Sequence, residues 1–280
     1  MTTYPLVFNI FALEVTGYGL MMMVAFLTGG WAIQRELRRR GLNEDYASDI
    51  VVAAVIGGIV GAKIWYVVLT RDPGALMSRS GLVWYGGFIG GTAAVYLNGL
   101  RKRIPTRVTC DLVAPALAIG YALGRVGCFL VQDDYGVPTS LPWGMRFPEG
   151  LPPSTALQLN SSYGIPIPEG VNPLEALAVH PTQLYEAAVM LLAFWALWRL
   201  RTHAHGTGWL FGAYLLFAGT ERFLIEFIRA KDDRFLAVFT VAQLASIIIA
   251  IVGVLMMARW TNHEEVAIPS NSFLLEKART

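Results

Sequence analysis

Charge is what this chain has least of. Only 15% of its 280 residues are Asp, Glu, Lys or Arg, against about a quarter in an ordinary soluble domain. The shortage runs along the whole chain, which excludes a water-soluble globule with a polar shell. The formal net charge of +2 is too small to suggest a nucleic-acid partner. Cysteine is nearly absent: Cys110 and Cys128 both sit in apolar stretches and have no CxxC spacing, which excludes a disulfide scaffold and a thiolate metal centre. The four histidines, His180, His203, His205 and His263, lack HExxH-like spacing, so neither a metal nor a cofactor is expected. No internal repeat is visible, which argues against a transporter built from inverted halves. A basic run ahead of the first apolar stretch is also missing, and Glu14 stands there instead. The first helix is therefore expected to stay in the mature protein rather than leave as a signal peptide.

What is abundant is apolar length: 55% of residues are hydrophobic and mean hydropathy is +0.49. A spanning helix needs roughly 20 mostly apolar residues. Seven stretches qualify, near 16–33, 50–69, 81–100, 112–132, 180–198, 208–228 and 236–258. Basic residues orient them. The loops RELRRRG, RKRIPTR and RLRTHAHG, with Arg259, Lys277 and Arg279, place 13 Lys and Arg on one side. The other side has six: Arg71, Arg79, Arg146, Arg229, Lys231 and Arg234. The N-terminus is then expected outside and the C-terminus in the cytoplasm. Residues 133–179 form one long Pro- and Gly-rich outer segment, with Trp143, Met145 and Phe147 supplying apolar content. A segment of this length is expected to fold as a cap. The expected architecture is an all-α polytopic membrane protein. Its seven transmembrane helices fill 1–260, the extracytoplasmic head lies within them at 133–179, and a polar cytoplasmic tail covers 261–280.

Ionisable groups within spans are costly and mark functional sites by default. Arg125 lies between Gly124 and Gly127, one to two turns from the outer end of its helix. Its planar fork of donors suits a lipid phosphate; a pair with Glu186 or Glu226 is the structural alternative. Arg222, Glu226 and Arg229 share a helical face, which admits both an intrahelical pair and a phosphate clamp oriented by the glutamate. Glu221 points about 100° away. In HPTQLYE (180–186), His180, Gln183 and Glu186 recur every third residue beside Tyr185. That polar stripe either packs helices or lines a cavity in which His180 accepts a proton. In SGLVWYGGFIGG (80–91), glycines 86, 87, 90 and 91 favour close helix packing, and Tyr85 either adds a hydroxyl to the cavity or belongs to an interfacial aromatic belt. Lys63 either snorkels to the interface or meets an anionic headgroup.

These motifs together resemble one family. HPTQLYE is similar to the HP-[ST]-QLYE signature of prolipoprotein diacylglyceryl transferases. GRVGCFL followed by Asp133, Asp134, Tyr135 and Gly136 resembles that family's arginine-containing stretch, and RFLIEFIR resembles its RxxxEFxR helix. WYGGFIGG, GYGL with Tyr18, and VAQLAS follow in the family's order, so the resemblance runs from about 15 to 253. It implies a helical membrane bundle with a periplasmic head in the bacterial inner membrane. The implied reaction moves diacylglyceryl from phosphatidylglycerol to the lipobox cysteine of a prolipoprotein signal peptide, forming a thioether and releasing glycerol phosphate. Catalytic roles are implied for Arg125, Arg222, Tyr85 and His180. Substrate contacts are implied for Tyr18, Gly86, Gly87, Cys128, Asp133, Gly136, Gln183, Tyr185, Glu186, Glu226 and Arg229, and the other partners are membrane lipids. At four positions the chain departs from many members: Tyr85 replaces His, Cys128 replaces Asn, Ala218 replaces Tyr and Asp133 replaces Glu. The rival reading is a homologue that binds phospholipid without turnover. Tyr85→His is expected to retain transfer activity; an unfolded variant would mark position 85 as a packing site instead.

Overall fold

The structure is a computed structural model that describes residues 1–10, 13–77, 81, 83–167, 169–231, 234–235, 239–262 and 266–276. The expected positions Arg79, His263, Lys277 and Arg279, and the first residues of the seventh stretch, lie outside the described residues.

Helix dominates, and each of the seven apolar stretches falls on one long helix. These are α1 (Gly17–Arg39), α2 (Asp45–Thr70), α3 (Trp84–Arg101), α4 (Thr106–Val131), α6 (Thr182–Leu200), α7 (Trp209–Ile225) and α8 (Val241–Trp260). A short α5 (Ala156–Tyr163) belongs to the 133–179 segment. Also present are two small antiparallel hairpins, β1 (Val7–Ile10) with β2 (Leu13–Thr16) and β3 (Arg234–Phe235) with β4 (Phe239–Thr240), and two 3-10 turns at Pro73–Met77 and Phe273–Leu275. By length and composition, α2, α4 and α8 are apolar enough to cross a membrane.

The helix ends follow local chemistry rather than hydropathy. Thr16 caps α1 by accepting from Gly19 N (3.2 Å). The helix runs on to Arg39, where Arg38 and Arg39 complement the negative end of its dipole. At α8, Thr240 and Gln243 bond reciprocally at 3.0 and 3.1 Å in a capping box. Helix α7 is preceded by its cap residue Gly208, whose φ of 101° only glycine adopts freely. Its first amides are satisfied from another helix, since Asp111 of α4 accepts from Gly208 N (2.7 Å) and Phe211 N (3.1 Å).

Helix α4 is the hub and packs on α1, α6 and α7, while α2 pairs with α3 and α7 with α8. Small residues make these pairings possible. Ala114, Ala118 and Ala122 of α4 meet Met190, Ala193 and Leu197 of α6 and Leu210 and Ala213 of α7 in one buried cluster. Large apolar side chains point outward instead, among them Leu27, Ile56, Leu97, Leu192, Leu224 and Leu255, each more than half exposed.

The ends of the bundle differ. The basic loops gather at one end, where Arg39 Nη2 donates to Arg201 O (3.3 Å), Asn43 N to Leu274 O (3.0 Å) and Phe273 N to Lys102 O (3.1 Å). At the other end, the 133–179 segment packs around Tyr135, Phe147, Leu159 and Val179. The Tyr135 and Phe147 rings stack at 5.5 Å. The amino terminus joins this head, with Met1 donating to Gly144 O (3.1 Å).

The α2–α3 seam leaves no room for a side chain at Gly57, Gly61, Gly86 or Gly90. A Cβ on Gly90 would lie 2.8 Å from Gly61 Cα and closer still to Gly57 O. Gly90→Leu is expected to part the two helices and cost more than the about 1–3 kcal/mol typical of overpacking. Thermal unfolding in detergent would show the loss; an unchanged midpoint would place the seam elsewhere.

Candidate active site

The site forms where α4 ends. Gln132 (φ 62°) and Asp134 (φ 57°) both take left-handed backbone conformations without being glycine, an arrangement that concentrates at functional turns. The reversal turns Asp134 back toward Arg125. Two residues at the start of α6 hold it there: Thr182 Oγ1 donates to Asp134 O (2.9 Å) and Gln183 Nε2 to Asp133 O (2.5 Å).

Gly136 is the tightest crossing in the site. Its amide donates to His180 O (2.9 Å), and the next amide, Val137 N, donates to Ile228 O (2.9 Å). A Cβ there would lie 2.7 Å from Thr182 Cγ2 and 2.8 Å from His180 Cβ. Only glycine lets the three segments meet.

Three arginines alternate with three carboxylates across this crossing. Arg125 Nη2 donates to Glu186 Oε1 (2.5 Å) and its Nη1 to Asp134 Oδ2 (3.0 Å). Arg229 Nη2 donates to the other oxygen of Asp134 (2.6 Å) and lies 3.8 Å from Glu186 and 3.9 Å from Glu226. Arg222 pairs with Glu226 at 2.6 Å. Tyr121, one turn before Arg125, donates its hydroxyl to Glu186 Oε2 (2.7 Å), so each oxygen of that buried carboxylate has a partner. Arg125 Nη1 also reaches Cys128 Sγ at 3.5 Å. Tyr18 packs over Gly127, the next turn of α4.

The members of this network differ in exposure. Glu186 is fully buried, whereas the Asp134 side chain is 41% exposed. Burial raises the Asp134 carboxyl, but Arg229 and Arg125 outweigh it and hold the group below its ordinary value. Its neighbour Asp133 moves the other way, raised by burial and then by Asp134. Cys128, Asp133 and Asp134 bring ligand atoms within 4.8 Å of one another, but both Asp134 oxygens already carry guanidinium donors, which makes the group a poor cation site.

Other expected site residues stand apart. His180 precedes α6, and its Nδ1 faces the Tyr185 hydroxyl (3.4 Å), which also accepts from Trp143 Nε1 (2.7 Å). Burial lowers the imidazole's pKa, which favours the neutral ring. Of the 180–183–186 stripe, Gln183 and Glu186 reach the α4 turn, while His180 turns to the head. Gly86 and Gly87 do not reach the cluster, because they pack against Gly61 and Gly58 of α2. Tyr85 also stands outside it: the side chain is exposed and its ring meets Trp84 edge-on at 5.3 Å. Lys63 lies 6.0 Å from the Tyr66 ring centre. Asp134, Tyr121 and Trp143 were not singled out for the site. An acid directly after Asp133 and a tyrosine four residues before Arg125 were the available signals. Glu221 is buried near Tyr121, whose hydroxyl is given to Glu186.

Glu186→Ala leaves Arg125 buried without its closest anion and is expected to destabilise the protein by about 3–5 kcal/mol; equal denaturation of variant and wild type would refute this. Asp134 makes its contribution above about pH 4, where the unfolded carboxyl is ionised. That contribution is lost as pH falls through the lower folded value. The stability gap between wild type and Asp134→Asn should therefore be open at pH 6 and close toward pH 3. A gap that ignores pH would contradict the pairing.

A family profile described as prolipoprotein diacylglyceryl transferase matches residues 5–259. The chain is 32% identical over 257 residues to the phosphatidylglycerol–prolipoprotein diacylglyceryl transferase of Clostridium tetani, spanning 89% of this chain and 95% of that one. It is 32% identical over 269 residues to the enzyme of that name from Geobacter sulfurreducens (90% and 93%), and 29% identical over 268 residues to that from Vibrio cholerae serotype O1 (90% of each). Taken with the arginine–carboxylate turn, these matches make the chain a member of the prolipoprotein diacylglyceryl transferase family.

Proposed function

We propose that this protein transfers diacylglyceryl from phosphatidylglycerol to the lipobox cysteine thiol in the signal peptide of a prolipoprotein. The observation that carries the reading is the Arg125–Asp134–Arg229 bridge, in which one exposed carboxylate occupies two guanidiniums. A lipid phosphate has the charge and oxygen geometry to take Asp134's place. Glu186 stays behind to hold Arg125 in position, and Glu226 does the same for Arg222.

In the reaction the thiolate sulfur bonds to the glyceryl carbon as that carbon's bond to the phosphate oxygen breaks. The bonding electron pair leaves with glycerol phosphate. Charge gathers on the phosphate, where arginines already in place stabilise it more than they stabilise the bound lipid. The thiol must lose its proton to react. Neutral His180, tied to Tyr185, is the acceptor we assign. Tyr85 serves at the lipid-facing entrance rather than at the bond being broken, together with Gly86 and Gly87, which hold α3 on α2.

The same reading makes the seven long helices transmembrane and the 133–179 head periplasmic, with the N-terminus on that side and the C-terminus in the cytoplasm of a bacterial inner-membrane protein. Its support is the gathering of the basic loops at one end and the outward-facing apolar side chains. An impermeant thiol reagent on intact cells should label Glu149→Cys, and should label Thr202→Cys only after permeabilisation. The opposite pattern would invert the topology.

Purified protein given phosphatidylglycerol and a lipobox peptide should form the thioether, and Arg125→Ala should abolish it. Full activity in that variant would remove Arg125 from the reaction. No product from the wild type would leave a phospholipid-binding protein.

A further inference from the structure

The end of the bundle opposite Arg125 holds a second arginine cluster, which the transfer reaction does not use. Its centre is Glu36, a buried carboxylate in the last turns of α1. Arg39 grips it with two donors, Nε at 2.8 Å and Nη2 at 2.6 Å. Arg40 Nε donates to the same carboxylate at 2.6 Å, and Arg201 Nε lies 3.4 Å away. Three guanidiniums thus share one negative charge.

These arginines are held in place from several sides. Arg39 donates to Arg201 O, which ties α1 to the turn after α6. The Arg201 guanidinium lies over the Trp198 ring at 4.0 Å and donates to Trp198 O. They open onto a cavity of about 450 Å³ whose wall includes Arg39, Arg40, Arg201, His203, His205 and Asp111. A second cavity of about 250 Å³ adjoins it and is lined by Arg35, Arg38, Arg39 and Arg201. The one carboxylate on the larger wall is already engaged, because Asp111 accepts both amides at the start of α7. Arg40 bonds Glu36 through Nε and also acts electrostatically on Asp111, while its two terminal nitrogens make no hydrogen bond among the described residues.

Loop arginines that merely orient a helix need only be on the correct side of the membrane. These instead converge from two segments of the chain on one buried carboxylate and face a space large enough for a small ligand. We propose that this cavity binds a phosphate group, with Arg40 and Arg201 as its principal donors. Planar guanidinium forks match phosphate oxygens, and a basic pocket among helix ends is a form that anionic headgroup sites take. The group is carried either by a phospholipid headgroup or by a free phosphate ion.

The test measures binding of short-chain phosphatidylglycerol and of inorganic phosphate, separately, by calorimetry on the detergent-solubilised full chain. Arg125→Ala serves as the background, to weaken the other site, and each result is read as the change that the added substitutions make. Adding Arg40→Gln and Arg201→Gln should weaken binding by about tenfold or more. Loss for the lipid alone assigns the cavity to a headgroup, and loss for phosphate alone assigns it to a free anion. Unchanged affinity for both overturns the proposal. Glu36→Gln provides a check that removes no arginine. It takes away the competing carboxylate and should tighten binding several-fold; weaker binding there would also count against the site. With Arg125 intact, the Arg40→Gln, Arg201→Gln protein should still lipidate a lipobox peptide.

Discussion

The buried pair between Arg125 and Glu186, at 2.5 Å, is the contact on which the site depends. It joins α4 to α6 through two charges, neither of which tolerates an apolar interior alone. Once Glu186 is placed, Tyr121 has an acceptor and Arg125 presents its remaining nitrogens to the turn after α4. The same helix start that carries Glu186 supplies Thr182 and Gln183 to hold that turn. One short segment of α6 therefore both anchors the arginine and shapes the loop facing it.

Rigidity and exchangeability are divided within the network. Glu186 and Glu226 are sealed from solvent, while Asp134 lies at the edge. In the proposed reaction, an anionic substrate would meet guanidiniums already aimed and have one exposed carboxylate to displace. Such preorganisation is what stabilises charge that develops late in a reaction. Gly136 contributes by absence, since a methyl group there would push apart the segments carrying Asp134, His180 and Arg229.

Both ends of the bundle use one device, a buried carboxylate that gathers several arginines. At the head end, Glu186 and Asp134 divide Arg125 and Arg229 between them. At the basic end, Glu36 alone faces three guanidiniums and leaves a surplus of positive charge. The first arrangement balances its charges, and the second carries the excess of guanidinium on which the proposed phosphate site rests.

The sequence by itself determined the seven helical stretches, the gathering of basic loops, and the candidacy of Arg125, Arg222, Glu186, Glu226 and Arg229, which the fold brings into one network. These are legible because a charge in an apolar run is costly wherever the run packs, and because residues three or four apart share a helix face. The pairing of Arg125 was left open between Glu186 and Glu226, since helical spacing says nothing about which face meets which. Tertiary structure alone decided that Glu186 takes it and that Asp134, rather than Asp133, bridges to Arg229. The reason is the pair of left-handed residues at 132 and 134, which swing one acid inward. Packing also moved Tyr85, Gly86 and Gly87 out of the cluster and onto the α2 seam, because close helix contact and ligand contact ask for the same small residues. Only the folded chain distinguishes the two uses.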